Sequence, residues 1–495
     1  MEGSEAEGAV TSRPAEDAEP EGTPRARRLR SGLSGAFRLI KDNRLFACAL
    51  AVGAGLRLVA MIGYPGVLWF VGDSFLYLGG ALRPRPDLSK TIGYSFFLRA
   101  LEPLHSLVVV SLLQHLMGLA MAVMVYALAR RARLPRWGAT LCTLPVLLDG
   151  YQIQLEHMLM SDTLFAFLIV AAVTLVMWRE RPAWWTALAA GLIIGYAIIV
   201  REAGLPLIVV LVAYFLVRWR GWIVPVALAV GCAAPVAAYG AWFHAVNGQY
   251  TLTRSTGFYL WGRMSTFSDC AKIQPPPSER AACISEPVGH RAPPGRFVWE
   301  NPTARRLPGG PVSVASNKLL TDFAINAVLS QPFSYLGTVA KGVAYAGYWK
   351  RLNYPGAYTV NFYKFPYRPQ VIPDNRSWIP GATAAADVRA YGRAAPSRIV
   401  RPFSSAMRVY QRYIYTYGPL LALMLLIGTG GVIRFWRRIG GPVLLPWAVA
   451  VVVLLVPIAT ADFDYRYLLA VLPMAGLAAG LAFAPAEPAH VKVEP

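Results

Sequence analysis

Long apolar runs separated by short polar breaks dominate this chain. A bilayer core takes ~20 apolar residues per helix, and a helix satisfies its own backbone groups in lipid, so such runs read as membrane spans. They predict spans at about 45–64, 106–129, 137–150, 161–178, 183–200, 203–217, 222–243, 416–433, 441–459 and 466–484. The expected class is an all-α multi-pass membrane protein with about ten transmembrane helices. The third run is short and its exit carries Asp149, Gln152 and Gln154, as expected of a helix that ends within the bilayer beside a water-filled cavity.

Alternating the spans from a cytoplasmic N-terminus puts Arg130, Arg131, Arg133 and Arg136 inside, then Arg179 and Arg181, Arg218 and Arg220, and finally Arg434, Arg437 and Arg438. Every short internal loop then obeys the positive-inside rule. Two segments fall outside, 65–105 and 244–415, and the second is too long for a mere connection, so it folds as a domain or lies on the membrane surface. The division expected is a disordered cytoplasmic tail over 1–44, a transmembrane catalytic module over 45–243, an external region over 244–415, C-terminal helices over 416–484 and a cytoplasmic tail over 485–495. Residues 2–22 are rich in Glu, Ala, Gly and Pro, and a basic stretch from Arg25 to Arg44 precedes the first span. The acidic start and the lack of a small-residue cleavage site predict that the first span is retained.

Composition agrees with this class. With 55% hydrophobic residues, 15% charged residues and mean hydropathy +0.41, the chain is too apolar for an ordinary soluble enzyme. The segment 244–415 holds 21 Lys and Arg against 7 Asp and Glu, and so supplies most of the net charge of +21. A basic external face attracts anionic membrane lipids or a lipid-linked phosphate, although a solvated Arg-rich surface has the same composition. Nucleic acid is not an expected partner of a face outside the cell. Of five cysteines, Cys48, Cys142 and Cys232 lie in apolar runs, while Cys270 and Cys283 fall together in the external segment, where an oxidising compartment predicts a disulfide. Metal binding by these two thiols with His290 is the alternative, and no zinc-type spacing accompanies it.

The polar segments share one side of this topology. They are Asp73 with Ser74 and Tyr77; the Thr91–Leu98 stretch; Glu156 and His157 with Ser161 and Asp162; Arg201 and Glu202; and Asp462, Asp464 and Arg466. Ionisable groups are costly in lipid, so they are expected to line a shared aqueous cavity. Taken singly, Asp73 is also a good turn or cap residue and Asp162 a good first-turn residue.

In order and sidedness these segments resemble the GT-C glycosyltransferases that use polyprenyl-phosphate-linked sugars, in particular the protein O-mannosyltransferase and aminoarabinose-transferase branch. The resemblance rests on Asp73 early in the first external segment, Gly93-Tyr94-Ser95-Phe96-Phe97-Leu98, Ser161-Asp162-Thr163-Leu164-Phe165, and Asp464-Tyr465-Arg466-Tyr467-Leu468-Leu469. It covers roughly 45–245 and the last span. The chain departs from the pattern in having one acid rather than two adjacent ones at Asp73, and Ser95 where Pro is common. The resemblance implies inverting transfer of a sugar from a polyprenyl-phosphate carrier to a hydroxyl of a glycan, lipid or protein acceptor. It implies Asp73 as the base that deprotonates the acceptor, with Arg201 and Arg466 on the donor phosphate. Tyr77, Glu156, His157, Asp162 and Lys341 become candidates for positioning substrate. Arg201 could instead pair with Glu202 or another intramembrane acid, and Arg466 with Asp462 or Asp464.

Three further readings stay open at this level. Asp462-Phe463-Asp464 has the spacing of metal-dependent glycosyltransferases, so a divalent metal is possible, although a lipid monophosphate donor has less need of one. The aromatic stretch from Tyr345 to Tyr367 suits sugar stacking or an interfacial belt, the belt being favoured over 333–349, which reads as an amphipathic surface helix. The alternative function is a transporter or flippase of a lipid-linked sugar, which predicts repeated halves; no internal repeat is found.

Overall fold

The computed structural model describes residues 42–70, 72–218, 221–392 and 398–485. Most of the predicted N-terminal tail (1–41) and the C-terminal residues 486–495 lie outside the described residues. Those described form helices and connections, with one isolated β-bridge between Leu68 and Met158.

Four helices are long and apolar enough to cross a membrane: Arg44–Gly63, Leu107–Arg131, Ile223–Asn247 and Gly441–Thr460. Phe403–Tyr413 and Gly418–Arg434, bent by 56°, make a fifth if taken as one span. Ser161–Met177, Trp184–Val200 and Tyr465–Leu481 are apolar but shorter. The protein is thus a helical multi-pass membrane protein, while length and composition do not confirm a count of ten. The third predicted span is three short helices, Arg136–Leu141, Leu144–Leu148 and Gly150–Glu156. Pro145 opens the second piece, where a missing N–H is tolerated. Asp149 caps the third: its Oδ1 accepts from the Tyr151 and Gln152 N–H groups (2.8 and 3.0 Å) and its Oδ2 from Thr416 N–H (2.6 Å). Gln154 donates to the Phe362 carbonyl. The polar residues at this break therefore serve backbone and side-chain partners, rather than the water-filled cavity expected of them.

Packing follows small residues. Trp184–Val200 lies along Ile223–Asn247 over its length, and a Cβ at Gly191 would come within 2.2 Å of the Leu228 carbonyl oxygen. Such close backbone approach replaces the hydrophobic drive that lipid cannot supply. The Tyr465–Leu481 helix is largely enclosed, packed on Leu444–Thr460, Gly418–Arg434, Ser161–Met177 and Leu107–Arg131.

The long segment 244–415 divides in two. Residues 256–330 build their own small core around Trp261, Phe297 and Phe323, closed by the Cys270–Cys283 disulfide, with Cα atoms 6.0 Å apart. Beyond the Pro332–Ala346 helix, whose Phe333 is 86% exposed, the chain returns to the membrane unit, where Tyr363, Phe365, Ile379 and Tyr391 join the core of the spans. A bidentate Arg83–Asp387 pair, 2.7 Å at each contact, fastens that return.

Candidate active site

A cavity of about 1150 Å³ is lined by residues at the ends of the apolar helices and by residues of the 244–415 segment. Asp73 lines it as the first residue of the Asp73–Leu82 helix, reached through Gly72 at φ 88°, a left-handed conformation that suits glycine. A helix N-terminus favours an ionised carboxylate. Two cations meet it: Lys90 Nζ bonds Oδ1, and Arg466 Nη1 lies 3.1 Å from Oδ2. Lys90 is aimed by an Asx turn in which Asp87 Oδ1 accepts from the Ser89 and Lys90 N–H groups at 2.8 and 3.1 Å. Burial alone would raise the Asp73 carboxyl, but the charges of Lys90 and then Arg466 override it and hold the group down at about 2.

Arg466 is placed from below by Asp464, which caps its helix and lies 3.4 Å from Nε. Arg201, at the end of Trp184–Val200, pairs with Asp162 rather than with its neighbour Glu202. Both guanidiniums flank one ring, with Arg201 5.2 Å and Arg466 5.3 Å from the Tyr467 centroid. One aromatic ring thus contacts two like charges, each stabilised by cation–π attraction. Two guanidiniums and an ammonium at one cavity wall suit a phosphate, which guanidinium donors bind bidentately.

Of the residues singled out in the sequence, Asp73, Tyr77, Arg201, Glu202, Asp462, Asp464 and Arg466 line this cavity. Asp162 contributes through Arg201, and the Tyr77 hydroxyl bonds Ser161 Oγ at 3.1 Å. Three do not reach it. Glu156, fully buried, is gripped by Arg57 at 2.7 and 2.8 Å, by Gln152 at 3.0 Å and by His115 at 3.0 Å. His157, also buried, stands between His115 (2.9 Å) and the Tyr64 carbonyl (2.7 Å). Their expected role in positioning substrate is therefore corrected: their polar atoms are spent on internal partners. Lys341 is exposed on the Pro332–Ala346 helix, away from the cavity lining. The carboxylates of Asp462-Phe463-Asp464 turn to different partners. Asp462 accepts from the Tyr354 hydroxyl (2.6 Å) and Gly295 N–H (2.9 Å), and Asp464 from the Tyr363 hydroxyl (2.7 Å). Burial pushes the Asp462 carboxyl up to about 6, with the Tyr354 bond pulling the other way.

Sequence reasoning missed Lys90, Arg57 and Tyr259. Arg57 left a signal, as the one charged residue inside the first apolar run. Lys90 left little, because its reach depends on the turn at Asp87. The cavity lining also includes Trp299, Tyr358, Phe362 and Trp378, of which only Tyr358 and Phe362 belong to the aromatic stretch noted in the sequence.

Among solved structures the chain is similar to the protein O-mannosyltransferase complex of S. cerevisiae bound to its sugar donor, at 16% identity over 51% of this chain and 38% of that one, TM-score 0.32. It is similar to the oligosaccharyltransferase AglB of Archaeoglobus fulgidus with an inhibitory peptide and a dolichol-phosphate, at 11% identity over 88% of this chain and 50% of that one, TM-score 0.38. A third is ArnT of Cupriavidus metallidurans bound to undecaprenyl phosphate, at 14% identity over 90% and 77%, TM-score 0.34. The chain thus spans half or less of the yeast and archaeal chains. No curated protein matches the sequence. Residues 101–244 match the family model of dolichyl-phosphate-mannose-protein mannosyltransferase, the branch to which the sequence motifs point.

Proposed function

We propose that the protein is a membrane glycosyltransferase that moves a sugar from a polyprenyl-phosphate carrier to an acceptor hydroxyl, with its N-terminus cytoplasmic and its cavity on the extracytoplasmic side. The observation that carries this reading is the convergence of the Asp73 carboxylate with Lys90, Arg201 and Arg466 in one large cavity. The acceptor oxygen attacks the anomeric carbon from the face opposite the phosphate, its proton passes to Asp73, and the bond between the anomeric carbon and the phosphate oxygen breaks. Negative charge builds on the leaving phosphate, where preorganised cations stabilise the transition state most. A carboxylate held at about 2 is a weak base. When a phosphate draws Lys90 and Arg466 to itself, Asp73 loses its counter-charges and its basicity rises. Donor binding and base activation are thereby coupled.

The aromatic rings that line the cavity suit an acceptor with apolar faces, such as a glycan. The test is Asp73→Asn in purified protein supplied with radiolabelled polyprenyl-phosphate sugars. Transfer is expected to fall by about 10²–10⁴-fold, the usual worth of a general base, with binding of the donor retained. Full transfer by the variant would sink this mechanism, and movement of the labelled lipid across a bilayer without transfer would replace the reading with that of a flippase.

A further inference from the structure

One stretch of the cavity wall enters the chemistry above only through Lys90. It combines the loop around Lys90, Glu202 in the turn after Trp184–Val200, and Tyr259 on the Thr256–Met264 helix. The loop and the helix are fastened together: Arg254 N–H donates to the Leu88 carbonyl and Ser255 Oγ to the Ser89 carbonyl, each at 2.7 Å. Lys90 and Tyr259 therefore keep a fixed separation. Glu202 Oε1 is buried and has no hydrogen-bond partner among the described residues. Leaving such a group unpaired costs about 1–3 kcal/mol or more, and in a native cavity it calls for a donor to come from elsewhere. Burial raises the Glu202 carboxyl, which Thr253 partly offsets. Burial also raises the Tyr259 phenol, followed by the fields of Asp73, Tyr467 and Glu202, which puts these groups in one neighbourhood.

A sugar bonded to a phosphate on Lys90, Arg201 and Arg466 must lie within one ring of them, and Glu202 directly follows Arg201. A carboxylate accepts from two adjacent hydroxyls at once, and a phenol both donates and accepts. We propose that Glu202 and Tyr259 form the donor-sugar subsite and read vicinal hydroxyls of a sugar that carries no acid group. A uronic acid is rejected there by Glu202, Asp87 and Asp73, all on this wall; discrimination by like charge is a common device of specificity. The inference rests on the phosphate reading of the three cations.

Binding is measured on the full purified chain with bare polyprenyl phosphate and with the same lipid carrying mannose, glucose, galactose, arabinose or glucuronic acid. At least one neutral glycosylated carrier is expected to bind about 10-fold tighter than the bare lipid, as one or two hydrogen bonds to a charged group provide. Glu202→Gln and Tyr259→Phe should each erode that preference while leaving affinity for the bare lipid unchanged, which also reports that the variants are folded. The subsite is overturned if the preference survives both changes, if no neutral sugar improves on the bare lipid, or if the glucuronosyl lipid binds as well as the best neutral one. Failure of the wild type to bind bare lipid, or unchanged binding after Arg466→Ala, would instead remove the phosphate reading and this inference with it.

Discussion

Replacing Arg57 by Leu is expected to be among the most damaging changes in the membrane unit. Arg57, 2% exposed, gives Nε and Nη2 to Glu156 at 2.7 and 2.8 Å. It also donates to the carbonyls of Gly53, Leu147 and Val146 at 3.0 Å each. The last two belong to the broken third span, so Arg57 caps that break as well as neutralising the carboxylate. Removing one partner of a buried ion pair costs about 3–5 kcal/mol, because the other charge is left without compensation. Glu156→Leu combined with Arg57→Leu removes that charge, so the double variant should be more stable than the sum of the single losses predicts, by up to about 3 kcal/mol. Unfolding in mixed micelles with rising SDS measures all four corners of the cycle. Single variants within about 0.5 kcal/mol of wild type, or strict additivity, would refute the network. The isosteric Glu156→Gln supplies the kinetic arm. Its KM for donor and acceptor should match wild type, whereas a residue in contact with substrate would shift one of them.

Gly118 carries a second, smaller test, since a Cβ there would sit 2.0 Å from Glu156 Oε1. Gly118→Ala should cost about 1–3 kcal/mol by overpacking, despite a helix-propensity gain of up to ~1 kcal/mol, and micellar unfolding would expose the error if the variant proved more stable. The Cys270–Cys283 bridge, with a sequence separation of 13, should contribute about 3 kcal/mol by limiting the unfolded chain. Its removal by paired Ser substitutions should make residues 256–330 the first site of limited proteolysis, and an unchanged cleavage pattern would count against it. Asp462, raised from 3.8 to about 6, makes a contribution to stability that is fully present below its unfolded pKa and lost as pH rises through about 6. Two pKa units correspond to ~3 kcal/mol. Asp462→Asn should flatten the thermal midpoint between about pH 4 and 6, and an identical pH dependence in the variant would refute the assignment.

How far the sequence could be read depends on where each charge can go. Apolar runs and their ends were legible because lipid permits little else, and Asp73, Arg201 and Arg466 were legible for the same reason: a charge at the end of a span must find water or a partner. The partner itself was not legible. Arg201 chose Asp162, 39 residues away, over adjacent Glu202, because the Arg201 side chain leaves an extended residue towards the Ser161–Met177 helix. Glu156 and His157 looked like site residues by sidedness alone, and the corrective signal lay in the first run, where a lone Arg57 amid apolar residues required a buried acid. Glu156 and Asp73 are chemically alike, each a carboxylate facing an arginine. Arg57 is locked by three backbone carbonyls and cannot leave Glu156, whereas Arg466 and Lys90 line a cavity open to a ligand, with Arg466 Nε making no hydrogen bond among the described residues and only a 3.4 Å ion-pair contact with Asp464. The counter-ion's access to a cavity, which no spacing encodes, is what separates a carboxylate that holds the fold from one free to take a proton.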